Sequence, residues 1–212
     1  MREKDDSARG KILEAAKAEF LERGFAEASM RTIAERAGFT TGMLYSRFAD
    51  KSEIFRELVE GPADELYNYF MTVQNEFAGY SPEYQRREMH PYVAQKIDRM
   101  VDLIYDNFDA FKLILCKSVG TSYEYYVDKM IDVETESTFR FIDAVKGAGY
   151  EIADIRKDLA HMLASAMFNG MFEVVMHDLS REDARQYILK LQEFFNAGWD
   201  LSLIHISEPT RR

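Results

Sequence analysis

The residues whose types and spacing could do chemistry stand close together early in the chain: Thr40, Thr41, Gly42, Tyr45 and Arg47, with Lys51 just beyond. Two short hydroxyls, a bare glycine, a phenol and two cations break no bonds by themselves. At close range they exchange hydrogen bonds with phosphate oxygens and base edges, and a small N-terminal surface lets a helix approach both. No large aliphatic residue interrupts that face. A helix carrying it suits the major groove of a duplex.

Such a face works only if something holds it out. Ser29-Met-Arg-Thr-Ile-Ala-Glu-Arg-Ala-Gly38 reads as a helix, with Ser29 able to cap it through its hydroxyl. Met30, Ile33, Ala34 and Ala37 fall on one stripe by their i, i+3, i+4, i+7 spacing. Gly38 supplies the left-handed stop that a Cβ resists. Thr40 then caps a second short helix, whose Leu44 and Phe48 point inward. Before them, Ser7 to Arg23 forms a helix with Ile12, Leu13, Ala16 and Phe20 inside, and Gly24 stops it. Lys51 opens a fourth helix. A cation in a first turn costs roughly 0.3–1 kcal/mol against the helix dipole, a cost that is offset if Lys51 and the exposed N–H groups hold a phosphate together.

These motifs follow one another in a definite order. They are Ile12-Leu-Glu-Ala-Ala-Lys-Ala-Glu-Phe20-Leu-Glu-Arg-Gly24-Phe25, Thr32-Ile-Ala-Glu-Arg-Ala-Gly38, and Gly42-Met-Leu-Tyr45-Ser-Arg-Phe48-Ala-Asp-Lys51-Ser-Glu-Ile-Phe55. The set resembles the DNA-binding domain of TetR-family repressors and covers about the first quarter of the chain. The resemblance implies DNA contact by Ser29, Arg31, Thr40, Thr41, Gly42, Tyr45, Arg47 and Lys51. The family more often has an aromatic residue or a histidine where Arg47 stands, which leaves the role of Arg47 open. The resemblance also implies a fourth helix linking the DNA-binding domain to an effector domain, and a homodimer.

Composition agrees with a globular helical protein. Of 212 residues, 47% are hydrophobic and 30% charged, with only 4 prolines and 11 glycines. We expect an all-α chain of about nine helices. An N-terminal three-helix helix–turn–helix domain occupies residues 1–50 and a helical effector-binding and dimerisation domain residues 51–200. No uninterrupted apolar run approaches the roughly 18 residues of a membrane span. The charged start, Met1-Arg-Glu-Lys-Asp-Asp, lacks the apolar core of a signal peptide. The single cysteine, Cys116, fits a reducing cytoplasm. The net charge of −10 is unevenly spread: residues 1–56 hold 11 Lys and Arg against 10 Asp and Glu, the remainder 16 against 27. The acid thus lies away from the proposed DNA face, and phosphate affinity depends on charge within about 8–10 Å.

Further along, Gly61-Pro62 is expected to kink or break the fourth helix, as a hinge or as an ordinary junction. Residues 77–89 read as a loop or short helix, with His90-Pro91 opening the next helix. Helices are expected over Asp109 to Ser118, Tyr123 to Lys146, Ile155 to His177 and Arg181 to about Asp200. In the last two, Leu159, Met162, Leu163, Ala166, Met167, Gly170, Phe172, Val174 and Val175 nearly encircle one helix, and Ile188, Leu191, Phe194, Phe195 and Trp199 stripe the other. That is more apolar surface than a monomer hides, so these helices are expected to pair in a dimer as a four-helix bundle. The last twelve residues, from Leu201, break the pattern and read as a non-native tail.

No catalytic constellation emerges. His90, His161, His177 and His205 are scattered, Cys116 has no adjacent base, and no metal-ligand spacing or phosphate loop is present, so no enzyme activity, metal or cofactor is expected. The effector half is instead rich in aromatics and methionines. Tyr67, Phe70, Met71, Met100, Ile104, Phe108, Phe111, Tyr123, Tyr126, Met130, Met162 and Phe172 could line a cavity for a small apolar or aromatic molecule, or simply form core. Asn169 and Glu173 could orient that ligand or bond across the dimer. The expectation is a cytoplasmic, ligand-released, dimeric repressor on a palindromic operator, with activation left open. The competing reading is a ligand- or partner-binding helical protein that does not read DNA specifically.

Overall fold

A computed structural model describes residues 2–203. The proposed tail from Leu201 lies almost wholly outside that range, as does His205. Among the described residues there are nine α-helices and no strand: α1 (Arg2–Glu27), α2 (Met30–Ala37), α3 (Thr41–Tyr45), α4 (Lys51–Ala78), α5 (Pro82–Asp106), α6 (Phe108–Lys117), α7 (Tyr126–Gly147), α8 (Lys157–Met176) and α9 (Arg181–Leu203). The chain is all-α, with a helix–turn–helix domain at its N-terminal end. By contacts it divides into two compact units. One takes the residues up to Leu66 with Leu103–Tyr126, the other Tyr67–Asp102 with the residues from Val127 onward.

The first unit is built on α1. Ile12, Ala16 and Phe20 lie on one face and are wholly buried, together with Ile33 of α2, Leu44 of α3, Ile54 and Phe55 of α4, and Phe111 and Leu113 of α6. Aromatic edges knit these helices: Phe55 meets Phe20 at 5.3 Å and Phe25 at 5.4 Å between ring centres. The α6–α7 connection joins this core, Tyr126 donating its hydroxyl hydrogen to the Ala63 carbonyl at 2.8 Å. Gly24, with φ 77°, interrupts α1, and a last turn continues to Glu27. Because α1 already begins at Arg2, Ser7 lies inside the helix rather than at its start.

Pro62 does not break α4, and Pro91 does not open α5. Pro62 sits inside α4, which runs on to Ala78. A mid-helix proline forfeits one backbone bond and costs about 3 kcal/mol. Val59, Ala63 and Leu66 are buried on both sides of it, and burying two large aliphatic side chains returns about 1.5–3 kcal/mol each. Pro91 likewise lies inside α5. The true start of α5 is Ser81-Pro82, with the Ser81 hydroxyl accepting from the Tyr84 N–H at 3.3 Å and Pro82 in the first position, where its missing N–H is harmless. The segment expected to be loose is therefore mostly helix.

In the second unit the Phe70 ring of α4 stands edge-on to Phe168 of α8 at 5.6 Å. Phe141, Ile142 and Val145 of α7 form a further apolar cluster with Phe77, Met89 and Trp199. Helices α8 and α9 approach closely at Gly170, where a Cβ would stand 3.0 Å from Leu191 Cδ2. Arg185 bridges Asp98 and Asp102, and Arg181 also reaches Asp102, tying α9 to α5. The encircling apolar residues of α8 thus resolve into two sides. Phe172, Val174 and Val175 are buried, whereas Leu159, Met162 and Met176 are exposed, as are Tyr187 and Phe194 on α9. By length and composition α8 is apolar enough to cross a membrane, although His161, Ser165, Asn169 and Glu173 interrupt its apolar run; a third of its most apolar window is buried within the chain.

Candidate nucleic-acid interface

The geometry of the turn follows from local chemistry. Gly38 adopts φ 75°, ψ 28°, and its N–H closes the end of α2 on the Glu35 carbonyl. Thr40 is extended, and its Oγ1 accepts from the Met43 N–H at 3.2 Å, satisfying one of the orphan donors of α3. Leu44 and Phe48 anchor this helix inward, and its opposite face is left to water. There Tyr45 is 53% exposed. Nothing lies within 4 Å of where a Gly42 Cβ would be, so the glycine is not required by the chain's own packing. It keeps the outer face flat. Thr41 and Arg47 are half-buried, and Arg47 Nη1 donates to the Ser46 hydroxyl at 3.4 Å.

Two of the other candidates are held differently from expectation. Ser29 occupies the position before α2 with extended backbone, but its hydroxyl makes no cap bond. Its N–H instead donates to Glu19 Oε1 at 3.4 Å. Lys51 turns its ammonium back onto the α1–α2 connection. Nζ donates to the Ala28 carbonyl at 3.0 Å and the Ala26 carbonyl at 3.1 Å, and stands 4.5 Å from the centre of the Phe25 ring. Three attractive partners compensate the charge and leave one of three N–H donors for a phosphate. The N-terminus of α4 is closed by its own acids: Glu53 N–H donates to Asp50 Oδ1 at 2.9 Å, and Ala49 N–H to Glu53 Oε2 at 2.6 Å. Arg31 is exposed and paired with Glu35 one turn on, at 2.8 Å.

Glu19 is the residue that pattern reading missed. It is 1% exposed on α1 and holds both ends of α2, taking the Ser29 N–H and standing 3.3 Å from Arg36 Nη2. Its neighbours Ala18 and Phe20 give no local hint of an ion pair formed with a residue seventeen positions away. Arg9 plays a similar part between α1 and α4, pairing with Glu57 and covering the Phe48 ring at 4.5 Å.

The effector candidates divide between the two units. Ile104, Phe108, Phe111, Tyr123 and Tyr126 belong to the first unit, where Phe111 and Tyr126 are core. Tyr67, Phe70, Met71, Met100, Met130, Met162, Asn169, Phe172 and Glu173 belong to the second. Phe70, Met130 and Phe172 are buried there, but Met162 is 63% exposed. Asn169, also exposed, donates to the Ser165 carbonyl one turn back at 2.8 Å. Glu173 pairs with His177 at 2.8 Å, at the C-terminal end of α8 where the dipole favours a cation. His161 stands 3.8 Å from Asp132 beside a groove of about 460 Å³ that Thr135, Glu136, Lys157 and Asp158 also line. Among the described residues no cluster of His, Cys, Asp and Glu could hold a metal ion.

The stretch that carries this face matches a known family model. The family model described as "Bacterial regulatory proteins, tetR family" matches residues 12–58. Over 107 residues, 50% of this chain and 46% of the relative, the sequence is 35% identical to the HTH-type transcriptional repressor KstR2 of Mycobacterium tuberculosis. Over 64 residues, 30% of the chain and 31% of the relative, it is 38% identical to the uncharacterized HTH-type transcriptional regulator YfiR of Bacillus subtilis. The chain thus spans half or less of the length of these curated relatives. Its fold is similar to the crystal structure of a TetR-like transcriptional regulator from Rhodococcus sp. RHA1, with TM-score 0.58 over 90% of this chain and 96% of that one, at 18% identity.

Proposed function

We propose that the chain is a transcriptional regulator of the TetR family rather than an enzyme, and that it acts as a ligand-responsive dimeric repressor on a palindromic operator. The observation that carries this is the outer face of α3: a capped, five-residue helix whose anchors are buried and whose Tyr45 is 53% exposed. Residues 1–50 read DNA and residues 51–200 dimerise and bind effector. Tyr45 and Arg47 reach bases or phosphates, while Ser29, Arg31, Thr40, Thr41, Gly42 and the remaining Lys51 donor fix the backbone register.

Dimerisation is supported by the apolar face that α8 and α9 leave open, with Leu159, Met162 and Met176 on one helix and Tyr187 and Phe194 on the other. Two recognition helices presented by such a dimer meet successive major grooves when they stand about 34–36 Å apart. An apolar or aromatic effector releases the operator by favouring an arrangement with another spacing, and its effect equals its differential affinity, typically about 1–3 kcal/mol. The relative named as a repressor supports repression, and the site of action is the cytoplasm. Selection of duplexes from a random pool by the purified protein tests the reading. The expected result is an inverted repeat whose binding weakens steeply with salt; a pool without any enriched sequence would refute it.

A further inference from the structure

Glu134 of α7 shows one way to bury a carboxylate: it accepts from the neutral Gln74 amide at 2.6 Å, and desolvation raises its carboxyl above the usual glutamate range. Glu19 of α1 stands instead among arginines. It is 1% exposed, with Arg36 Nη2 3.3 Å from Oε2 and Arg23 Nε 3.9 Å from Oε1. Oε1 accepts the Ser29 N–H at 3.4 Å. Oε2 is buried and receives no hydrogen bond among the described residues, while Arg36 Nη2 donates to Glu22 at 2.5 Å. A carboxylate withdrawn from water with one oxygen unsatisfied costs stability. An apolar side chain beside Ala16 and Phe20 on the inner face of α1 would avoid that cost. The compensation lies in what the carboxylate holds.

The hold falls on α2 at both ends, since Ser29 stands just before that helix and Arg36 in its last turn. Glu19 does from another helix what a capping-box glutamate does within one: it takes the N–H of the N-cap residue, and α2 carries Thr32 where such a box has its glutamate. The Ser29 hydroxyl makes no cap bond, and the residue is exposed. Only Gly38, Phe39 and Thr40 separate α2 from α3, and the Phe39 N–H is bound back to the Ala34 carbonyl at 2.9 Å. A tilt of α2 therefore carries α3 with it. Resting on the DNA reading of α3 proposed above, we infer that Glu19 is a positioning residue for DNA recognition. Buried away from DNA, it fixes both ends of α2 on α1 and so sets the tilt at which the outer face of α3 meets base edges. Base readout needs side chains within hydrogen-bond reach, whereas attraction to phosphates tolerates displacement. Loss of the hold lowers preference for the operator over random duplex more than it lowers affinity as a whole.

Three variants of the full chain separate this role from stability. Glu19→Leu leaves Arg36 without its buried partner. Glu19→Leu with Arg36→Leu exchanges the whole pair for apolar side chains, which recovers stability. Glu19→Gln keeps an acceptor for the Ser29 N–H. For each we would measure Tm, hydrogen exchange of the Ser29 amide without DNA, and affinity for the selected repeat against random duplex. In the double variant Tm should return towards the wild type while the Ser29 amide exchanges about tenfold faster. Its preference for the repeat should fall about tenfold, the scale of one mismatched base pair. Glu19→Gln should keep slow exchange and most of the preference. Wild-type exchange at Ser29 in the double variant, or a preference that recovers together with Tm, would overturn the proposal. Should the double variant stay unstable, Glu19→Gln decides: exchange and preference as poor as in Glu19→Leu overturn it there. A wild type that prefers no duplex refutes the operator reading instead, and the Ser29 exchange, read without DNA, still decides whether Glu19 holds α2.

Discussion

Replacing Lys51 with methionine separates two jobs that one side chain could do. The ammonium donates to two carbonyls at 3.0 and 3.1 Å and lies over the Phe25 ring at 4.5 Å. The site is half-exposed, so each charge-assisted bond is worth nearer ~1 kcal/mol than the upper end of its usual range. The cation over the ring adds about 0.5–1 kcal/mol. Lys51→Met keeps the apolar stem and removes all three contacts, for a loss of about 2–3 kcal/mol. At roughly 2–4 °C per kcal/mol for a chain of this size, Tm falls by about 5–10 °C in a calorimetric scan. Were Lys51 only a phosphate ligand, the variant would melt like the wild type and lose about 0.9 from the slope of log affinity against log salt. An unchanged Tm would therefore refute the clamp that joins α4 to the α1–α2 connection.

Other outcomes follow from the same contacts. Thr40→Val deletes the acceptor for the Met43 N–H, worth about 1 kcal/mol at a helix start; operator affinity should drop in a gel shift and return in Thr40→Ser. Phe194, 73% exposed on α9, should be essential for pairing, so Phe194→Asp should sediment as a monomer where the wild type sediments as a dimer. The raised carboxyl of Glu134 means that the folded chain keeps a proton the unfolded chain has released, over the interval between the ordinary glutamate value and the raised one. Stability contributed by this group is present below that interval and declines as pH rises through it. Glu134→Gln should remove that decline in thermal scans across the interval and melt no lower than the wild type at neutral pH; a decline identical to the wild type's would contradict the assignment.

What the sequence made legible was local. Gly38, Thr40, Leu44 and Phe48 each stand within four residues of the next, so spacing alone places the turn, the cap and the two anchors. What it hid was either distant or decided by burial. Lys51 finds its carbonyls 25 and 23 residues back, and Glu19 finds Arg36 seventeen residues ahead, distances at which no periodicity speaks. Pro62 and Pro91 carry a local cost that reads as a break, but apolar neighbours packed on both sides carry the helices through. The aromatic and methionine stripes of the effector half were visible as apolar surface, whereas their division between two units was not, because i, i+3, i+4 spacing gives a face and not its neighbour.

The central claim is that the outer face of α3 reads duplex DNA through Tyr45. Its most direct test is a side-by-side titration of the selected inverted repeat with the wild type and Tyr45→Ala, both first established as dimers with equal Tm. Loss of sequence-specific binding in the variant, with the residual affinity equal to that for random duplex, is the predicted result. Wild-type affinity and sequence preference in Tyr45→Ala would contradict it.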